Sequence, residues 1–367
     1  MNPFTISGFA GSQYFCDRKE ELLKLTEAFV NKRNVTLFSI RRMGKSSLIK
    51  YLFEKEKNNA DCIYLDIFPS TNFQEFVQLF ANSVTKIFGK TQKDYLNILK
   101  DLIKSINASV SFDNITGNPE IKIGIGNYEK QKKDFTKLID FLERNKRRVL
   151  FAIDEFQTIV NYPEKNTEAL LRTYFQDCKN ISFIFSGSNN RIMQSIFSHK
   201  LNPFYQSTQF LMLEEIDKYV YKDFIKLHFT KLKIKIQDEQ IESVLDICRC
   251  HTYYVQLVCN RLYSKNIEIK NQVILDILGE IMYENEPIYQ NYKNTLTNLQ
   301  WHVLKAISME GEVFEPYSMK FIKKYNLSSP SSVSRAIKSI TDKGFISYYK
   351  NKYIIEDVIF SLWLKGK

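Results

Sequence analysis

The sequence predicts an α/β fold with a parallel-sheet core, followed by an all-α segment and a small domain of three helices and a hairpin. Three observations carry this. Up to about residue 214, short apolar runs rich in β-branched and aromatic residues alternate with amphipathic stretches. Residues 215–290 are helical in pattern, with no strand signal beyond the short "LKIKI". Residues 296–367 carry three capped helical stretches and then a strand–turn–strand pattern.

Taken in order, "DRKEELLKLTEAFVNK" places Leu22, Leu23, Leu25, Phe29 and Val30 at near-helical spacing. "NVTLFSI" reads as a first strand and "SSLIKYLFEKEK" as the helix after it. "CIYLDIF" is a second strand, and its near-continuous apolar character fits a parallel strand covered on both faces. Residues 72–106 read as helix. "SVSFDNITGNPEIKIGIGN" then alternates apolar and polar residues around the turn chemistry of "NITGNPE", which predicts an inserted β-hairpin at about 108–127. Helical spacing returns over 132–145, and "RRVLFAIDEF", "ISFIFSGSNN" and "FLMLEE" supply the third to fifth strands. The expected domains are 1–214, 215–295 and 296–367.

In the last of these, Thr297 and Gln300 form a capping-box pattern, and "SMKFIKKYN" is a second helix. The third has Ser329 as N-cap, Pro330 in its first turn and Gly344 past its end, with Val333, Ala336, Ile337 and Ile340 on one face. "FISYYKNKYII" is a hairpin expected to turn at Asn351-Lys352. Three helices and a hairpin make a winged helix-turn-helix. Its third helix exposes Ser331, Ser332, Ser334, Arg335 and Lys338, types that suit phosphate and base-edge contacts in duplex DNA. The segment holds 11 Lys/Arg against 6 Asp/Glu. A winged helix also serves as a protein-docking module or as a rigid part of a switch.

Composition sets the outer bounds. An apolar fraction of 44% with 25% charged residues is that of a folded globular protein. The net charge of +11 permits a nucleic-acid partner, but a bias toward Lys and Asn gives the same excess. No uncharged apolar run approaches the roughly 18 residues that span a bilayer, and the first residues lack a secretory pattern, so the expectation is a cytoplasmic protein with no membrane partner. The six cysteines contain no C-x-x-C, and Cys62 and Cys178 read as small core residues.

The chemistry concentrates at "SIRRMGKSS", between the first strand and its helix. The spacing is that of the phosphate loop G-x-x-x-x-G-K-[ST], with Ser39 in place of the first glycine. Such a loop aims backbone N–H groups at an anion in front of a helix N-terminus. The candidates are Ser39, Arg41, Arg42, Met43, Gly44, Lys45, Ser46 and Ser47, with Lys45 reaching the terminal phosphates and Ser46 completing the coordination of Mg²⁺. "VLFAIDEF" puts Asp154 and Glu155 at the end of a buried strand, where ligands sit in parallel sheets. Asp154 is then the carboxylate facing the metal, and Glu155 the group that polarises the attacking water. Ser186 and Ser188, ending the neighbouring strand, are candidates to bond the γ-phosphate or that water.

These stretches resemble the archaeal-type ATPases, a bacterial and archaeal family of predicted ATPases in the AAA+/STAND group. The cues run along nearly the whole chain: "YFCDRKEEL", "RRMGKSSL", "FAIDEFQ", "LLRTYFQDCKNISFIFSGS", "NPFYQST", "CHTYYVQ" and "DVIFSLWL". The resemblance implies an AAA+-like P-loop core, a helical lid and a winged-helix tail. It assigns Lys45 and Ser46 to phosphate and magnesium, Asp154 and Glu155 to metal and water, and Ser188 to a polar sensor position. It sets Asp17 and Arg18 near the adenine. Departures from the family pattern fall in three places. Ser39 replaces a glycine, Cys250 and Thr252 replace the Gly and Pro of the lid, and Val358 replaces a proline of the tail. The first two departures predict weaker nucleotide affinity.

The function expected from the sequence is a Mg²⁺-dependent ATPase, converting ATP and water to ADP and phosphate, slow unless stimulated. It would act as a switch in which the lid and winged helix respond to the nucleotide and alter contact with DNA or a protein partner. Two alternatives stand beside it. One is a DNA-binding regulator with a structural nucleotide and little turnover; the other is a platform that self-associates on ATP.

Overall fold

The computed structural model describes residues 2–85, 106, 108–112, 119–124 and 126–366. The chain forms two compact units. One comprises Arg18–Ser39 and Gly44–Glu214, the other Met1–Asp17, Ile40–Met43 and Glu215–Lys367.

The strands of the first unit are β1 (Val35–Phe38), β2 (Ala60–Asp66), β3 (Ala108–Phe112), β4 (Pro119–Ile123), β5 (Arg148–Asp154), β6 (Ile181–Gly187) and β7 (Gln209–Met212). Five of them build one parallel sheet in the order β2-β5-β6-β1-β7. Its helices are α1 (Lys19–Val30), α2 (Lys45–Glu56), α3 (Phe73–Thr85), α4 (Tyr128–Glu143), α5 (Thr167–Asp177) and α6 (Asn190–Ser198). This is the α/β, parallel-sheet class that the sequence predicts. Every residue of β1 and of β6 is buried. Helices on both faces bury a strand completely, and that is why these strands read as unbroken apolar runs. Aromatic rings fill much of the core: Phe80 stacks on Phe151 at 4.6 Å, and Phe175, Phe183 and Phe185 pack in mutual contact.

Register decides where chemistry can occur. Asp66 pairs with Asp154 across β2 and β5, and Phe38 pairs with Gly187 across β1 and β6. These four strands therefore end on one edge, with Ser39, Glu155 and Ser188 just beyond it. The strand order reverses at β1, which lies between β6 and β7, so this carboxyl edge is a switch-point crevice.

The β3–β4 pair is an antiparallel hairpin fastened to α3. Asn82 Oδ1 accepts from Ile121 N–H at 3.0 Å and Gln78 Oε1 from Ile123 N–H at 2.9 Å. Of the helix expected over 72–106, the part described is α3; residues 86–105, and the hairpin turn at 113–118, lie outside the described residues.

The second unit begins with α7 (Lys218–Lys231), α8 (Asp238–Ile247), α9 (Thr252–Lys265) and α10 (Asn271–Thr295). Phe4 is fully buried among Phe224, His228, Phe229 and Tyr263, which explains why the leading residues count with this unit. α10 runs 25 residues with Pro287 inside it. The winged-helix part follows as α11 (Asn298–Glu310), α12 (Met319–Lys324), α13 (Pro330–Asp342), β8 (Ile346–Tyr349), β9 (Lys352–Ile355) and α14 (Val358–Lys365). The Thr297–Gln300 capping box forms, and Ser329 caps α13 with Pro330 at its start. The hairpin turns at Lys350-Asn351, one residue earlier than the sequence suggested. Both turn residues have positive φ, 49° and 63°, as a two-residue type I′ connection requires. No described helix is long and apolar enough to cross a membrane.

Candidate functional site

The loop after β1 begins with Ser39, which is fully buried and does not adopt a positive φ. A Cβ there meets no backbone penalty, so serine replaces the motif's glycine without local strain. The turn is made further on. Arg42 at φ 62° and Gly44 at φ 96° are both left-handed, and Gly44 leads directly into α2. Alternating handedness of this kind curls successive N–H groups toward one centre. Among the described residues no side chain caps the start of α2, where the positive end of the helix dipole lies.

Lys45 is buried, and its ammonium donates to Ser39 Oγ at 3.0 Å and to Ser39 O at 3.3 Å. Ser46 Oγ donates to Asp154 Oδ2 at 2.8 Å. Asp154 is buried at the end of β5 and also accepts from Tyr64 Oη, Ser186 Oγ and the Glu155 N–H. Four donors thus fix the position of one carboxylate. Burial, reinforced by the charge of Asp154, pushes the Tyr64 phenol well up, so it stays a neutral donor. Asp66, paired in register with Asp154, has its carboxyl raised, first by burial and then by the charges of Asp154 and Glu155.

Glu155 follows with φ 57°, a left-handed turn that swings the chain off the sheet edge. Its Oε2 accepts from Ser188 Oγ at 2.7 Å and from Gln157 Nε2. Gly187, between the two serines, has no room for a side chain. An added Cβ would overlap Gln157 Oε1 and come within 2.6 Å of the Met193 sulfur.

Ser39, Lys45, Ser46, Asp154, Glu155 and Ser188 therefore gather at one edge in three bonded sets. The oxygen donors fit a hard, octahedral cation: a hydroxyl and a carboxylate with no nitrogen or sulfur ligand beside them. Among the described residues no group of three or more His, Cys, Asp or Glu is arranged to hold a metal. A magnesium ion would accordingly lean on Ser46, on a ligand's own phosphate oxygens and on water, with Asp154 behind. Because Lys45 now serves Ser39, an incoming phosphate must compete for it. Ser39→Gly should tighten ATP binding about two- to threefold, the net of one released hydrogen bond and added loop entropy, as read by calorimetric titration.

The remaining candidates are less concentrated. Arg41 and Arg42 are exposed, Met43 is buried and Ser47 half-buried in the first turn of α2. The Arg42 guanidinium lies over the Tyr253 ring at 4.4 Å. Arg18 is buried and ion-paired with Glu21 at 3.0 Å, and Asp17 and Arg18 fall on opposite sides of the division between the two units. Ser331, Ser334, Arg335 and Lys338 are all exposed on α13, opposite buried Val333, Ala336, Ile337 and Ile340. Arg335 touches Ser332 at 3.4 Å, while the hairpin lysines are committed, Lys350 to Glu215 and Lys352 to Glu312.

Two departures from the family pattern gain a physical reading. Cys250 has φ 50°, a conformation natural to glycine and costing another residue about 1–2 kcal/mol. Thr252 is the first residue of α9, where proline is well tolerated. Both positions ask for a backbone shape rather than a reacting group. Sequence reasoning missed Tyr64, Gln157 and the loop contact of His251. A tyrosine inside an apolar strand and a glutamine after a D-E pair carry no signal of their own. The only cue to His251 was its place in "CHTYYVQ".

Comparison with known proteins agrees with this architecture. An AAA domain matches residues 30–194, and a family described as "Probable winged helix domain" matches residues 287–366. No curated protein matches the chain. Among solved structures it is similar to a Walker-type ATPase of Pyrococcus abyssi, with TM-score 0.69 and 15% identity over 99% of both chains. It is also similar to the Aeropyrum pernix ORC2 protein in its ADPNP-ADP complexes, with TM-score 0.56 and 12% identity over 100% of this chain and 98% of that one. CDC6P from Pyrobaculum aerophilum gives TM-score 0.51 and 14% identity over 99% and 97%.

Proposed function

From an AAA domain followed by a C-terminal winged helix domain, we infer an ATP- and Mg²⁺-dependent switch that hydrolyses ATP slowly and couples the nucleotide to a winged-helix contact with duplex DNA. The observation that carries the reading is the Ser46–Asp154 hydrogen bond of 2.8 Å at the start of α2, beside a base, Glu155, already held at one oxygen.

Backbone N–H groups of the loop and α2 bind the phosphates, and Lys45 leaves Ser39 for the terminal ones. Ser46, with Asp154 behind it, would hold magnesium, which would supply charge neutralisation at the phosphates. Glu155 takes a proton from the attacking water as its oxygen bonds to the γ-phosphorus and the bond to the ADP oxygen breaks. Ser188 and Gln157 fix the carboxylate, leaving Oε1 for the water. Positioning and charge neutralisation do the work, with no covalent enzyme intermediate.

The exposed Ser331, Ser334, Arg335 and Lys338 favour DNA as the output. Neither Arg335 nor Lys338 is in an ion pair among the described residues, whereas both hairpin lysines are. The test is phosphate release from ATP titrated with duplex DNA, with DNA affinity measured at several salt concentrations. Arg335→Ala/Lys338→Ala should weaken DNA binding and flatten its log–log salt slope by about 2, near 0.9 for each phosphate no longer neutralised. DNA affinity unchanged in that variant sinks the DNA output. ATP bound but never hydrolysed favours the regulator with a structural nucleotide. ATP-dependent growth in mass favours the self-associating platform.

A further inference from the structure

Residues 251–253 grip two consecutive residues of the phosphate loop. His251 Nε2 lies 3.1 Å from the carbonyl oxygen of Arg41. A carbonyl only accepts, so Nε2 carries the hydrogen and donates it. That assigns the tautomer and leaves Nδ1 as the acceptor, buried and with no hydrogen-bond partner among the described residues. Burial pushes the imidazole pKa down to about 4, so the ring is neutral and its donor constant across the physiological range. Two positions on from His251, Tyr253 carries the Arg42 guanidinium on its face at 4.4 Å. All four residues belong to the same compact unit.

The Arg41 oxygen and the Arg42 N–H belong to one peptide group. The group is planar and trans, so the two point in opposite directions. A donor that fixes the oxygen therefore also fixes where the Arg42 N–H points. Arg42 is one of the two left-handed residues that curl the loop into an anion-binding nest. The stack on Tyr253 meanwhile occupies the Arg42 side chain, so its contribution to a phosphate is through the backbone.

We propose that His251 is a positioning residue for the phosphate loop, aiming the Arg42 N–H at the nucleotide phosphates through the Arg41 carbonyl, with Tyr253 holding the Arg42 side chain aside. This rests on the nucleotide reading above and assigns a task to a segment, "CHTYYVQ", that the reaction itself does not use. By reciprocity, a bound phosphate that orients the Arg42 N–H strengthens the grip of His251, so nucleotide occupancy is felt at the start of α9.

The test compares His251→Phe with His251→Gln in the full chain, with ATP and Mg²⁺ as ligand and melting temperature measured without nucleotide. Phenylalanine keeps the ring volume and removes the donor. The glutamine amide places a donor near Nε2. His251→Phe should weaken ATP binding about tenfold, the worth of one well-placed hydrogen bond, and raise KM by the same factor with kcat within about threefold. His251→Gln should recover most of that loss. ATP affinity unchanged in His251→Phe, or lowered equally by both variants, overturns the positioning role. A wild-type chain that binds no ATP overturns the nucleotide reading and this inference with it.

Discussion

Glu155→Gln should bind ATP with wild-type affinity and release phosphate at least about 100-fold more slowly. General-base assistance accounts for about 10²–10⁴ in rate, and the amide cannot take the proton. The substitution is nearly isosteric, and the surroundings accommodate it. Ser188 Oγ and Gln157 Nε2 both donate to Oε2, so a glutamine that presents its carbonyl oxygen there keeps both bonds. Its NH₂ then points where the wild-type Oε1 would receive the water. The left-handed φ of 57° does not involve the side-chain terminus and is unaffected. Single-turnover phosphate release set against equilibrium ATP titration checks the pair of quantities. Equal release by wild type and variant removes Glu155 from the reaction. Loss of binding in the variant means the carboxylate supports the loop instead.

Lys45→Ala should weaken ATP binding by about 10- to 100-fold, the range for one charge-assisted hydrogen bond to an anion, and abolish measurable turnover. The lysine is buried at 6% exposure, and its ammonium donates to both oxygens of Ser39. Truncation removes two bonds to the neutral oxygens of Ser39, a loss that the fold should tolerate. Calorimetric titration of ATP, with circular dichroism of the apo protein as control, decides it. Unchanged affinity would remove the loop from phosphate binding altogether.

How far the sequence was legible follows from what each residue has to announce. The sheet was legible because strands buried on both faces leave unbroken runs such as "ISFIFSG", and parallel pairing fixes where they end. The proximity of Ser46 and Asp154 was legible for the same reason: each follows or ends a central strand, and the register brings the two together. The caps of α11 and α13 were legible because they are local hydrogen-bond patterns. Tyr64 was not. It sits two residues before Asp66 on the same side of β2, and its bond to Asp154 depends on cross-strand register. The turn at Lys350-Asn351 was misplaced by one residue because either of two adjacent pairs containing Asn351 could supply left-handed backbone. His251 was opaque as well, since its partner is a backbone oxygen 210 residues away, and backbone atoms leave no trace in side-chain patterns.

Pro287 gives the long α10 a mechanical character. At 25 residues the helix is about 37 Å of rod leading into the winged helix-turn-helix. Proline has no N–H, so the Tyr283 carbonyl cannot receive its helical hydrogen bond, and the pyrrolidine ring crowds that same oxygen. Opening the rod at this turn costs one ladder bond fewer than opening it at another interior turn. The helix is therefore a lever that bends most readily at a joint about two turns from its end.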